Sequence, residues 1–230
     1  DVPWPAETQQ VPVRSSGSAR IDGPLSGYAL SMQAAVVRGV DRMGLNLVGQ
    51  GSADALTLQR FDAALPHDGR VNATGRVAWQ PEVAFRIDAV LANFDPAWFV
   101  PAFPCAVAAK LLADGGVGED GLFGTFALRD LSGTLRGRAL RGQADAKLHG
   151  NEHGEAALVL SLGDSSIRAQ GVFTENLDAS GEFSPLDLAD AWPGASGRVR
   201  GTFTLGGTRE KPDVALHLTG RDLAHGDSNI

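Results

Sequence analysis

From Phe183 to Asp227 the chain reads FSPLDLADAWPGASGRVRGTFTLGGTREKPDVALHLTGRDLAHGD, and two strands stand out in it. Val199, Gly201, Phe203 and Leu205 alternate with Arg198, Arg200, Thr202 and Thr204; Val214, Leu216 and Leu218 alternate with Ala215, His217 and Thr219. The period is two, not the 3.6 of a helix, so each strand has one apolar and one polar face. The turn-rich GGTREKPD joins them. Gly201 shares the side of Val199 and Phe203. A glycine inside a strand forgoes packing and conformational entropy, so it marks strong curvature or a close approach by another group.

Outward from this stretch the pattern repeats. Val71, Ala73, Gly75, Val77 and Trp79 alternate with polar residues, and after a turn at Gln80-Pro81 so do Val83, Phe85, Ile87, Ala89 and Leu91. Earlier come Tyr28 to Val36, Leu45 with Leu47, and Leu56 with Leu58; GGVGEDG, residues 115–121, reads as a flexible break. Beyond it six short alternating runs begin at Leu122, Leu131, Ala144, Ala156, Ile167 and Leu177. Connections of a few residues exclude parallel crossovers, so the sheet is expected to be largely antiparallel. About fourteen strands at ~4.8 Å each would extend roughly 60 to 70 Å, and open sheets that wide curl, split or close. The predicted fold class is all-β: an elongated, strongly curved, largely antiparallel sheet, with short helical turns in loops. Those turns are expected near Asp95 to Val100 and Leu186 to Ala191, in NFDPAWFVPAFP and PLDLADAWPG, whose likeness suggests a weak repeat of roughly 90 residues.

The expected organisation is a weakly ordered lead-in or edge strand over 1–22, one continuous β unit over 23–227, and a tail over 228–230. The chain opens at Asp1 without initiator Met or signal peptide, which reads as an excised fragment.

The 230 residues are 43% hydrophobic but only 7% aromatic, with 29 Gly and 12 Pro, a balance suited to many strands and turns. A net charge of −7, with scattered basic residues, argues against a nucleic-acid partner and against docking on anionic lipid. The single cysteine, Cys105, excludes an internal disulfide. The apolar run Ala97 to Ala109 is too short for a membrane span and is broken by Pro101 and Pro104.

Chemical motifs are few. Gly116-Val-Gly118-Glu-Asp-Gly121 matches G-x-G-x-x-G, but no βαβ pattern surrounds it and two acids stand where phosphate would sit. His149 and His153 bracket Glu152, yet the flanking Gly150 and Gly154 put them in a hairpin rather than on a helix. His67, His217 and His225 have no evident partners, Asp187 and Asp190 read as capping or solvated, and the sequon Asn72-Ala-Thr74 lies mid-strand. No nucleophile-base pair, metal set or cofactor site is proposed, and an enzyme is not expected.

DLADAWPGASGRVRGTFTLGGTREKPDVALHLTGRDLAHGD resembles the repeating units of the TamB family, and GRVNATGRVAWQPEVAFRIDAVLANFDPAWFVPAFP, LSGTLRGRALRGQADAKLHG and LVLSLGDSSIRAQG agree with its strand-and-loop pattern. The likeness runs from about Gly23 to Asp227; Cys105 departs from it, since Pro-Gly is more typical after Pro104. The resemblance implies a periplasmic, taco-shaped β structure, part of a protein anchored in the inner membrane, with an open apolar trough that passes phospholipid acyl chains to the outer membrane. The wider group includes AsmA-like and bridge-like lipid transfer proteins. It implies a TamA-like outer-membrane barrel as partner of the whole protein, with no contact expected in this segment. The trough would be lined by Val77, Phe85, Ile87, Leu91, Phe126, Leu128, Leu135, Leu148, Leu158, Leu160, Leu162, Ile167, Phe173, Leu177, Phe183, Val199, Phe203, Leu205, Val214, Leu216 and Leu218. Alternation alone fits a second reading equally well, a structural or adhesive β-solenoid or β-sandwich whose closed core is filled by side chains and takes no ligand. A carbohydrate-active β-helix would want clustered carboxylates on one face, and none is evident.

Overall fold

A computed structural model describes residues 13–95, 105–135, 137–188, 195–225 and 228–229. Fifteen strands follow one another in chain order, each hydrogen-bonded antiparallel to the next: β1 Val13–Asp22, β2 Tyr28–Arg38, β3 Asp41–Gly51, β4 Ala55–Ala64, β5 Arg70–Ala78, β6 Val83–Phe94, β7 Cys105–Gly118, β8 Gly121–Leu135, β9 Arg138–His149, β10 His153–Leu162, β11 Ser165–Phe173, β12 Leu177–Asp187, β13 Ala195–Gly207, β14 Pro212–His225 and β15 Ser228–Asn229. This is one open sheet. β1 is an edge strand within the segment read as a lead-in or edge strand, and the short β15 lies where a tail was expected.

The antiparallel all-β expectation holds, with helix almost absent: among the described residues only Leu188 is helical. Most of the two loops expected to hold helical turns, residues 96–104 and 189–194, lies outside the described residues. Leu186 and Asp187, expected within a turn, instead end β12.

Two readings of the sequence need correction. Leu122 to Leu128 and Leu131 to Leu135 are not separate strands but one, β8, because an irregularity between Leu128 and Leu131 shifts the register without breaking the ladder. GGVGEDG is not a flexible break: Gly115 to Gly118 end β7, Gly121 opens β8, and only Glu119 and Asp120 turn. Its glycines serve close packing, since a Cβ on Gly115 would lie 2.2 Å from the Phe123 carbonyl oxygen.

Among the described residues, no second layer covers the sheet. Among the described residues, the only apolar ones that are fully buried are Ala55, Ala63, Ala109, Leu140 and Val199. The accessible surface, 15494 Å², exceeds by about half the roughly 10,000 Å² expected of a compact 24.0 kDa monomer. A closed, filled solenoid or sandwich core is therefore not the architecture.

Candidate functional site: the apolar face

Register carries the alternation from strand to strand. One row crosses the sheet from β2 to β14 through Leu30, Gly49, Leu58, Gly75, Ile87, Ala113, Phe126, Ala146, Ala156, Gly171, Ala179, Leu205 and Val214. A second runs beside it through Met32, Leu47, Phe61, Ala73, Ala89, Leu111, Leu128, Ala144, Leu158, Ala169, Gly181, Phe203 and Leu216. Neither row holds a polar side chain. Flanking rows continue the face. Val77, Phe85, Leu148, Phe173 and Leu177 stand on one side, with Leu160, Ile167, Phe183 and Leu218 on the other. Leu91, Leu135, Leu162 and Val199 extend the same face toward the strand ends. All the residues named from the sequence thus share one side of the sheet.

The sheet closes toward this side. A Cβ added to Gly75, Gly115, Gly133 or Gly201 would come within 2.0 to 2.3 Å of a neighbouring strand's carbonyl oxygen. Other glycines seat large neighbours: the Tyr28 ring lies over Gly51, the Phe203 ring over Gly181, and Leu160 Cδ1 over Gly142. Phe85 and Phe126, on strands separated by β7, bring ring centroids to 6.2 Å; Phe183 and Phe203 meet at 5.5 Å. Both lie in the range where tilted aromatic pairs attract. Most of the face is half-buried by its own curvature, whereas Val214, Leu216 and Leu218 on β14 are 57%, 56% and 51% exposed.

The opposite face is polar and laced with ion pairs between adjacent strands. Arg86 pairs with Asp114, Lys110 with Asp130 at 2.7 Å, Arg129 with Asp145, and Arg168 with Glu182 at 3.5 Å. Thr125, Ser161, Val172 and Thr202, each the chain neighbour of an apolar-face residue, stand here by register. An open cleft of about 800 Å³ is also on this side, crossing β6 to β12 between side chains such as Arg86, Asp88, Lys147, Glu155, Gln170 and Asp178. A smaller one, about 400 Å³, sits at the strand ends over Leu148, Gly154 and Phe173, where Arg209 donates to the Asn151 and Glu152 carbonyls at 2.9 and 3.1 Å.

His67, read as lacking a partner, faces Asp95 at 3.6 Å. Sequence gave no signal for this, because a loop and a strand end bring them together. Asp95 also accepts from the Cys105 N–H at 3.3 Å. Burial first, and then the Asp95 charge, raise the Cys105 thiol above its ordinary pKa. That disfavours a thiolate nucleophile. His149 and His153 face each other across the β9–β10 turn, and no group of three potential ligands is assembled among the described residues. Asp187 lies within 3.9 Å of Arg198, and its N–H donates to Ser165 Oγ at 2.8 Å. Asn72 of the sequon donates to Asp62 at 2.7 Å on the polar face.

An uncovered antiparallel sheet with one continuous, concave apolar face defines a class of open β-trough rather than a packed globule. The family described as "TamB, N-terminal domain" matches residues 1–230, and the chain belongs to that family. It is 27% identical over 157 residues, 68% of its length, to the translocation and assembly module subunit TamB of Haemophilus influenzae, of which it spans 12%. No solved structure matches it.

Proposed function

We propose that the apolar face is a segment of a lipid conduit, carrying acyl chains of phospholipid along the sheet, across successive strands, within the cell envelope. The observation that carries this is the pair of uninterrupted apolar rows from β2 to β14 on a sheet that does not close. Hydrocarbon slides along such a surface without meeting a charge, while a polar headgroup stays in water beyond the strand ends. The Haemophilus relative's name supports a role in translocation and assembly; in the reading proposed here that role belongs to a larger periplasmic protein anchored in the inner membrane, with a TamA-like barrel as partner beyond this segment. No step in this reading needs a catalytic group, a metal or a cofactor.

The test places a charge halfway along. Leu160 lies on the apolar face opposite Gly142 and Ile167, and Ser161 is its outward neighbour. Leu160→Arg should leave the sheet folded, because the face is open to water, and should sharply reduce photo-crosslinking to phospholipid. Ser161→Arg should change neither. Unchanged crosslinking in folded Leu160→Arg would sink the conduit, and unfolding of that variant alone would revive the filled core.

A further inference from the structure

In a regular strand, residues three apart point to opposite faces, so an apolar pair at that spacing should waste one member on the polar side. Five strands escape this. On β4, β6, β8 and β12 the pairing shifts by one extra residue after Leu58, Leu91, Leu128 and Phe183 respectively, and on β14 it shifts between Arg221 and Ala224. The extra residue is a β-bulge, and it returns the apolar residue three positions on to the apolar face. Leu131 accordingly pairs with Gly142, in the row of Leu160, and Leu223 lies over Gly220, 2.5 Å from where a Cβ would stand.

Three of the five share a signature. Leu91-Ala92-Asn93-Phe94, Leu128-Arg129-Asp130-Leu131 and Gly220-Arg221-Asp222-Leu223 each put Asn or Asp third, and those residues adopt φ of 47°, 53° and 55°. This is the left-handed region, which among residues with a side chain Asn and Asp enter most readily. All five strands run in the same direction, since the sheet is antiparallel in chain order. A bulge bends its strand and raises the local twist. Bends on strands of like direction add instead of cancelling.

We infer that Asn93, Asp130 and Asp222 are positioning residues: they hold the bulges that crease the sheet toward its apolar side while keeping that side continuous. At β8 the bulge is pinned on both flanks. Asp130 takes Lys110 Nζ from β7 at 2.7 Å, and Arg129 donates to the Ala144 carbonyl of β9 at 3.0 Å and to Asp145. As an account of trough width this rests on the conduit reading; as an account of sheet shape it does not.

Deleting Asp130 separates the two. Leu128 and Leu131 then stand two apart, both ladders become regular, and Leu131, Gly133 and Leu135 stay on the apolar face without the crease. In the full chain with Cys105→Ser, spin labels at Glu119, just before β8, and at Ala139 of β9, beside Thr134 near the far end of β8, should report a longer distance after the deletion. Uptake of a pyrene-labelled fatty acid should fall with it. Asp130→Asn and Asp130→Gly should keep both the distance and the uptake, whereas Asp130→Val, which resists positive φ, should lose stability or shift the distance. An unchanged distance in the deletion variant overturns the inference, as does Asp130→Val behaving like Asp130→Asn. Should the deletion not fold, the Asn, Gly and Val series decides alone. A longer distance with undiminished uptake leaves the crease standing and removes its link to the conduit.

Discussion

On the apolar face, a Cβ at Gly133 would lie 2.0 Å from the Ala106 carbonyl oxygen; at Gly44, on the polar face, it would meet nothing within 4 Å. The contrast extends beyond one pair. Gly206 on the polar face is likewise open, although Gly116, against the Val83 carbonyl, and Gly121, against the Asn151 side chain, are crowded on that side. One face is thus held by shape, through backbones and rings that leave no room, and the other by exposed charges. Exposed ion pairs contribute little and yield to salt. A sheet with no second layer must then draw most of its stability from the crowded side.

The largest effect should come from filling that side. Gly133 has φ of +142° as well as its close carbonyl, so Gly133→Ala adds both strain and a clash. A loss of about 2 to 4 kcal/mol in urea unfolding is expected. Gly44→Ala should stabilise by up to ~1 kcal/mol through the lost freedom of the unfolded chain. Equal effects at the two positions would dissolve the contrast between the faces.

A smaller effect sharpens it. The Phe203 ring occupies the space over Gly181, with Cε1 2.4 Å from where a Cβ would sit. Phe203→Ala should cost about 1 to 3 kcal/mol, less than a fully buried ring, because the face is open. Gly181→Ala should then be less costly in the Phe203→Ala background than alone, with a coupling of about 0.5 to 2 kcal/mol. Additive losses would show that the ring is not seated on the glycine.

Much of this was legible in the sequence, and the boundary has a physical cause. Val199, Gly201, Phe203 and Leu205 announce their strand because period two is local, and short connectors such as Gly150 to Glu152 leave no choice but antiparallel neighbours. Gly201 marked a close approach, and His217 supplies it with its carbonyl oxygen at 2.0 Å from a would-be Cβ. What the pattern concealed was continuity. Leu128 and Leu131 break the parity, and a reading by parity ends one strand and starts another there. Only the register with Ala144 and Gly142 shows a single strand with a bulge. The partnership of His67 with Asp95 was equally hidden, since residues 28 apart in the chain carry no period that would link them.

The smallest effect expected belongs to the polar face, and its dependence on pH and salt distinguishes it from the others. The Lys110 ammonium, by its hydrogen bond and then its charge, holds the Asp130 carboxyl below the ordinary carboxylate pKa, and Asp130 in turn holds Lys110 above the ordinary amine value. A depressed carboxyl contributes stability that is present above its unfolded pKa, about 3.9, and is lost as pH falls through the lower folded value. The raised amine works at the other end: its share is full below the unfolded lysine pKa and disappears as pH rises past the folded one. Asp130→Asn keeps a residue that tolerates φ of 53° but removes the pair. Its melting temperature should therefore fall slightly below that of the parent at pH 7, converge with it under acid, and converge again in 1 M salt at neutral pH. Gly133→Ala should show neither convergence, because a steric clash has no charge to titrate or screen. A deficit in Asp130→Asn that persists unchanged through acid and high salt would mean that the carboxylate acts on the backbone of the bulge itself, and the assignment of shape to one face and charge to the other would have to be redrawn at β8.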